Sequence, residues 1–221
     1  MLIVYVGAVA VLFLFVVMML NVSEKITELG GPDKVAALFA EPIMGSGGVI
    51  VPPENYLKRM WEVCQENDIL FVADEVVTAF GRLGHWFASE AVFDIKPDII
   101  TTAKGLTSGY QPLGATLFSE KIWKVISAPG NGRYFAHGFT YTGHPVACRA
   151  ALKNIEIMEK EGILEHVREV GPYFLKQLKS LEALPIVGEV RGNHFMVCIE
   201  NVANKKSRAL FSDDVNIGQR I

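Results

Sequence analysis

Residues 98–115 read DIITTAKGLTSGYQPLGA, and this stretch gives the clearest indication of the fold. The apolar run at residues 99–102 follows Pro97-Asp98 and predicts a short buried strand that stops just before Lys104. Residues 113–118 predict the next strand. The stretch therefore predicts two strands separated by a glycine-containing turn that carries a lysine.

The residues before this stretch show the same alternation. Residues 35–40 and 69–73 are short apolar runs that predict buried strands. Between them, a helix is predicted from Pro52-Pro53 to about Asn67, with apolar side chains at helical spacing. Short strands that alternate with helices predict an α/β domain with a mainly parallel sheet.

The residues after this stretch predict a second, smaller unit. Residues 145–181 predict two helices with breaks near Gly162 and Gly171-Pro172, and residues 187–200 predict strands of a smaller layer. The predicted division of the chain is a hydrophobic helix at 1–22, part of a large domain at 23–150, and connecting helices with the start of a small α+β domain at 151–221.

The first twenty residues, MLIVYVGAVAVLFLFVVMML, contain no charged residue, no proline and one glycine. A helix of this length rises about 30 Å, the thickness of the hydrocarbon core of a bilayer. A secretory signal would have a basic start, a shorter apolar run and small residues at a cleavage site. We therefore predict a membrane-spanning helix at residues 1–20, with a buried core helix as the alternative.

The composition indicates no nucleic-acid partner and no metal site. Twenty-four acidic and 21 basic residues give a net charge of −3, which provides no basic surface for nucleic acid. Cys64, Cys148 and Cys198 form neither a CxxC pair nor a metal-ligand spacing with histidine. An odd number of cysteines favours free thiols in a reducing compartment such as the cytoplasm.

Three charged residues fall at the ends of predicted strands. Glu41 and Asp74 each follow a buried strand, and Lys104 follows the strand at residues 99–102. In open α/β sheets, ligands bind beyond the carboxyl ends of the strands, so these side chains are candidates for a binding site. The alternative is that they are polar residues where strands meet solvent.

Four segments resemble four consecutive sequence blocks of the class III (ω-transaminase-like) aminotransferases, in the order of that family. They read AEPIMGSGGVIVPPENYL (40–57), VADEVVTAFGRLG (72–84), DIITTAKGLTSGYQPLGA (98–115) and HGFTYTGHPVACRAAL (137–152). The resemblance extends over about residues 25–221. It implies a fold-type-I cofactor domain that uses pyridoxal 5'-phosphate. It also implies transfer of an amino group between an amine or ω-amino acid and a keto acid such as pyruvate.

The resemblance assigns roles to individual residues. Lys104 matches the buried lysine that holds the cofactor as a Schiff base and shuttles a proton. Asp74 matches the aspartate that keeps the pyridine nitrogen protonated, and Val76 matches the apolar residue that packs on the ring. Each has a plainer alternative: a surface lysine, a capping aspartate and a core valine.

The resemblance also implies a homodimer. Thr140 matches the threonine that reaches the cofactor phosphate of the neighbouring subunit, and Phe139 matches a residue that borders the partner's pocket. Glu41 and Ser46 match positions near the substrate pocket. An amine donor and a keto-acid acceptor are the implied small-molecule partners.

The sequence departs from the family at both ends. The family's phosphate-binding turn lies before residue 25 and its carboxylate-binding arginine after residue 221. The resemblance therefore implies an incomplete domain with impaired activity. Residues 1–22 instead resemble a transmembrane helix of the chain J (chain 6) subunit of NADH–quinone oxidoreductase. This implies two alternatives: a membrane-subunit fragment of that complex, or a non-functional chimera with possible membrane contact through residues 1–20.

Overall fold

A four-stranded β-sheet forms the centre of the molecule in the computed structural model, which describes residues 22–130, 132 and 135–219. The strands lie in sequence order, β1 (Ala37–Ala40), β2 (Leu70–Asp74), β3 (Ile99–Thr102) and β4 (Ala115–Phe118). The first three are parallel, which confirms the predicted mainly parallel sheet. β4 runs antiparallel to β3, and the connection between them contains a short 3-10 turn in place of the crossover helix that usually joins a parallel pair.

Residues 22–130 and 135–219 contain six α-helices. They are α1 (Val22–Glu28), α2 (Tyr56–Glu66), α3 (Ala88–Phe93), α4 (Glu120–Ile126), α5 (Pro145–Lys160) and α6 (Ile163–Lys179). On α2, Leu57, Met60 and Cys64 recur at helical spacing and are buried. They pack with Ile69 and Phe71 of the sheet region to form the main hydrophobic core.

The C-terminal part of the described chain differs from the prediction at one point. The predicted break near Gly162 is present, but α6 continues through Gly171 and Pro172. Proline inside a helix costs about 3 kcal/mol, so the packing of α6 against the following strand must offset that cost. A Cβ atom on Gly171 would lie 2.5 Å from Cδ2 of His194, so glycine permits this close packing.

The predicted small second layer is present as a β-hairpin. β5 (Val187–Asn193) pairs antiparallel with β6 (Met196–Asn201). Met196 joins a second apolar cluster with Ile43, Leu83 and Ala88, which lie in or next to loops that follow β1 and β2. The hairpin therefore packs under the loops that leave the carboxyl ends of the sheet. The predicted division at residues 150 and 151 falls within α5 and stays a prediction.

The hydrophobic segment lies almost entirely outside this description. The predicted membrane helix at residues 1–20 falls on residues that the structure does not describe. Within residues 22–130, 132 and 135–219, no helix is both long enough and apolar enough to cross a bilayer.

Candidate active site

The carboxyl ends of the three parallel strands bring three charged residues to one edge of the sheet. Glu41 follows β1 directly, Asp74 is the last residue of β2, and Lys104 follows β3 after one intervening residue. The pairing of Ala40 with Ala73 places the next residues of the two strands, Glu41 and Asp74, side by side. The predicted position of these three residues at strand ends is therefore present, and their assignment to a binding site stays a prediction.

Glu41 interacts electrostatically with both Asp74 and Lys104. Its side chain is half-buried, and its Oε2 accepts a hydrogen bond of 2.8 Å from the Gly45 N–H. Burial raises the pKa of Glu41, against the lowering effect of the Gly45 hydrogen bond. The negative charge of Asp74 raises the pKa of Glu41 further, and the positive charge of Lys104 lowers it. The Glu41 carboxylate therefore interacts electrostatically with both residues.

Asp74 is held by the backbone that follows it. The Val76 N–H donates a hydrogen bond of 3.0 Å to Oδ1 of Asp74 and fixes one oxygen of the carboxylate. Both Asp74 and Val76 are half-buried. Asp74 therefore presents a partly accessible carboxylate, with an apolar side chain two residues away.

Lys104 lies at the start of a 3-10 turn, Lys104–Thr107. Its φ angle is +38°, in the left-handed region that a lysine rarely adopts. The side chain is exposed, in contrast to the buried lysine that the family resemblance implies. Such strained backbone occurs most often at functional sites, where the surrounding structure holds it in place.

Two contacts hold the turn that carries Lys104. Asn154 of α5 donates from Nδ2 to the carbonyl oxygens of Gly105 at 2.9 Å and Leu106 at 3.2 Å. On the other side, a Cβ atom on Gly105 would lie 2.9 Å from Cβ of Phe80, so the backbone approaches that residue closely. Sequence reasoning missed Asn154, because no local motif connects it with a turn 48 residues earlier.

Glu75 is a second residue that the sequence did not single out. Its side chain is fully buried. The carboxylate accepts hydrogen bonds from the hydroxyl groups of Thr78 and Ser89 and from the N–H groups of Ala88 and Ser89. Three of these four hydrogen bonds come from Ala88 and Ser89, which lie 13 and 14 residues further along the chain, so no local sequence signal could have found them.

The remaining predicted residues lie on exposed loops. Ser46 is exposed in the turn next to Gly45. Phe139 and Thr140 are exposed in a loop whose backbone is closed by hydrogen bonds between Phe139 and Thr142. Among residues 22–130 and 135–219, no hydrogen bond joins Thr140 to Glu41, Asp74 or Lys104, and its role stays a prediction.

A groove of about 920 Å³ lies next to this region, between the turn after Lys104 and helix α5. Its lining includes Thr107, Tyr110, Arg149 and Lys153. Glu41, Asp74 and Lys104 do not line it, so this groove and the cluster of charges at the strand ends are different features of the surface.

Comparisons of the sequence with a family model and with curated proteins agree on one protein family. A family model described as "Aminotransferase class-III" matches residues 18–218. The putrescine–pyruvate aminotransferase of Pseudomonas aeruginosa is 47% identical over 194 residues, which cover 87% of this chain and 41% of that protein. A probable mitochondrial gamma-aminobutyrate transaminase 3 of Oryza sativa is 45% identical over 189 residues, which cover 85% of this chain and 37% of that protein.

Solved structures agree in fold. A thermostable (S)-enantioselective omega-transaminase from Thermomicrobium roseum superposes with a TM-score of 0.85 at 42% identity, covering 91% of this chain and 44% of that one. An amine transaminase from an uncultivated Pseudomonas species, solved in its PLP-bound form, superposes at 0.83 with 44% identity, covering 90% and 45%. The chain thus spans about two fifths of the length of these relatives.

Proposed function

This chain belongs to the class III aminotransferase family, and from that we propose that it serves amino-group transfer between an amine or ω-amino acid and a keto acid such as pyruvate. The observation that carries the proposal is the meeting of Asp74, Lys104 and Glu41 at the carboxyl ends of adjacent parallel strands. A carboxylate and an amine at this edge are the groups that a pyridine-aldehyde cofactor needs.

The residues present fit pyridoxal 5'-phosphate, the cofactor of this family. Asp74 would accept a hydrogen bond from the ring nitrogen, Lys104 would hold the cofactor covalently, and Val76 would contact the ring. Thr140 would reach the phosphate of a neighbouring subunit. When bound, the cofactor supplies an electron sink for the substrate carbon that loses a proton.

The chain's own residues account for positioning and proton transfer. Lys104 is the base that would move the proton at the substrate α-carbon, and the turn that follows it is held through Gly105 by Asn154 and Phe80. The Val76 N–H fixes the Asp74 carboxylate. The groups are thus held before substrate binds, which lowers the entropic cost of the reacting geometry.

The names of the relatives and the positions of three residues support the proposed substrate class. The relatives are named for putrescine, pyruvate and gamma-aminobutyrate, which are amines, ω-amino acids or keto acids. We propose that Glu41 and Ser46 border the substrate pocket, where burial raises the pKa of the Glu41 carboxyl group above its ordinary value. Phe139 would border the pocket of the partner subunit.

A homodimer is part of the proposal. Phe139 and Tyr141 are 73% and 80% exposed on the loop that carries Thr140. Large exposed aromatic side chains on one loop are typical of a protein–protein interface. A second copy that covers this loop would bring Thr140 to a cofactor in the neighbouring subunit.

Borohydride reduction tests the cofactor site. The chain is incubated with pyridoxal phosphate, reduced and digested, and the modified lysines are located by mass spectrometry. We expect a pyridoxyl group on Lys104 that is absent from the Lys104→Ala variant and unchanged in Lys124→Ala, a variant of an exposed lysine on α4. Modification spread evenly over surface lysines would contradict the proposal.

The finer predictions for the first residues stay hypotheses. The family match begins at residue 18, seven residues before the start predicted from the sequence blocks. A membrane-subunit helix, or a chimera that contains one, would therefore be confined to the residues before that point. No described residue favours a respiratory function over amino-group transfer.

A further inference from the structure

Glu75 is a fully buried acidic residue whose carboxylate accepts four hydrogen bonds. Thr78 Oγ1 and the Ala88 N–H each donate to Oε2 at 2.8 Å. The Ser89 N–H and Ser89 Oγ donate to Oε1 at 2.7 and 2.6 Å. All four donors are uncharged, so hydrogen bonds alone compensate for the burial of this group.

The backbone of Glu75 connects β2 to β3 beyond the last residue of β2. The Glu75 N–H donates to the Thr101 carbonyl at 2.8 Å, and Thr102 Oγ1 donates to the Glu75 carbonyl at 3.2 Å. Glu75 therefore lies directly after Asp74 in sequence and is bonded to the strand end that precedes Lys104. Its position determines the separation of the two strand ends.

The side chain of Glu75 fixes the loop between β2 and α3 at both of its ends. Thr78 lies near the start of this loop, while Ala88 and Ser89 begin α3. In the same loop, Phe80 has a φ of +51° and lies against the backbone of Gly105, the residue after Lys104. A shift of the loop would therefore move the turn that carries Lys104.

We propose that Glu75 is a positioning residue that holds the Asp74 carboxylate and the Lys104 amine in the arrangement that the cofactor needs. This inference rests on the proposed function. It predicts that loss of the Glu75 carboxylate changes the chemistry at Lys104, in addition to any effect on folding stability.

Glu75→Gln tests this inference in the full chain. The amide keeps the shape of the side chain but replaces one acceptor oxygen with a donor. Each oxygen accepts from one hydroxyl and one backbone N–H. The hydroxyl on the altered side can reverse and accept, whereas the backbone N–H on that side loses its partner. The matched control is Glu90→Gln on α3, since the Glu90 side chain is 72% exposed and forms a surface ion pair with Lys96. Two readouts are measured: the rate of borohydride-trapped labelling of Lys104 by pyridoxal phosphate, and the pH midpoint of the absorbance of the bound cofactor.

We expect labelling in Glu75→Gln to be slower by roughly tenfold to a hundredfold, because small misplacements of reacting groups have effects of that order. The pH midpoint should also shift, while both values stay unchanged in Glu90→Gln. A purely structural role would lower thermal stability without moving the pH midpoint. That result, or a labelling rate equal to the parent's, overturns the inference.

The two proposals fail in different ways. If the parent chain is not labelled at Lys104, the proposed function is wrong and this inference falls with it. If the parent is labelled and Glu75→Gln behaves identically, only the inference is wrong. Should Glu75→Gln fail to fold, Ser89→Ala removes one of the four hydrogen bonds and should move the midpoint away from the parent's value, and no shift would overturn the inference.

Discussion

At the scale of single residues, the three free cysteines differ in burial, and we expect them to differ in reactivity toward alkylating agents. Cys64 on α2 has no exposed surface, and burial, with a contribution from the charge of Asp98, raises the pKa of its thiol to about 11. Only the thiolate reacts with alkylating agents, and at pH 8 a thiol of that pKa is about one part in a thousand ionised. We expect iodoacetamide to modify Cys64 on the order of a hundred times more slowly than Cys148 and Cys198.

The measurement needs a chain in which Cys64 is alone. In Cys148→Ser with Cys198→Ser, we expect almost no alkylation at pH 8 until urea unfolds the protein. The reverse variant, Cys64→Ser, should react without urea. Rapid alkylation of Cys64 in the native double variant would show that α2 opens readily from the sheet.

The residues of the candidate site differ in how well the sequence predicted them. Lys104, Asp74 and Glu41 were predictable because strand ends are visible as apolar runs and the carboxyl ends of parallel strands meet. Glu75 and Asn154 were not, because their roles depend on partners 13 to 49 residues away in the sequence. A carboxylate next to Asp74 gives no local sign that it points into the core.

Among the elements, the β5–β6 hairpin depends on one glycine. Gly192 has a φ of +146° and pairs with Val197, and a Cβ atom there would lie 2.1 Å from the Met196 carbonyl oxygen. The clash is with backbone, which cannot rotate away. We expect Gly192→Ala to lower the free energy of unfolding by roughly 3 kcal/mol through overpacking and backbone strain.

Urea denaturation measures this loss. Gly218→Ala is the control, since a Cβ atom at Gly218 would meet nothing within 4 Å. A change below about 0.5 kcal/mol in Gly192→Ala, the range of an ordinary surface substitution, would mean that the hairpin opens at this point.

The contact of the hairpin with the loop after β2 should weaken in acid. Burial lowers the pKa of both His85 and His194, the positive charge of Arg168 lowers both further, and His85 adds to the effect at His194. The folded state therefore prefers neutral imidazoles. The contribution of these two histidines to the free energy of unfolding is fully present above the ordinary histidine pKa of 6.5. That contribution is lost as the pH falls below this value.

The free energy of unfolding, measured by urea titration between pH 7.5 and pH 5, should fall in the parent chain. Replacing both residues, His85→Asn with His194→Asn, should flatten this dependence. His166→Asn, at an exposed position on α6, should leave it unchanged. An equal slope in all three proteins would show that neither histidine contributes.

Elements bounded by strong local signals were predicted well, and elements decided by tertiary contacts were not. The strand at Ile99–Thr102 has the predicted limits, because Pro97 precedes its apolar run. The antiparallel direction of β4 depends on a 3-10 turn that no periodicity indicates. Helix α6 passes Pro172 because the hairpin turn packs against Gly171, a contact between distant segments.

At the scale of the whole molecule, residues 1–17 precede the region at residues 18–218 that the family model matches. The matched region contains every residue of the candidate site. If residues 1–20 form the predicted membrane helix, the full chain should float with lipid vesicles in a density gradient. Deletion of residues 1–17 should abolish flotation and leave labelling of Lys104 by pyridoxal phosphate intact.

A charged substitution in the middle of residues 1–20 distinguishes membrane insertion from aggregation. Val11→Arg keeps the length but places a cation where the bilayer centre would be, at a cost of about 3 kcal/mol, so flotation should fall sharply. Aggregated protein sinks in the same gradient and is thereby distinguished from vesicle-bound protein. If the parent sinks while the deletion variant stays in solution and is labelled at Lys104, the segment is an aggregation-prone addition to an aminotransferase region that folds without it.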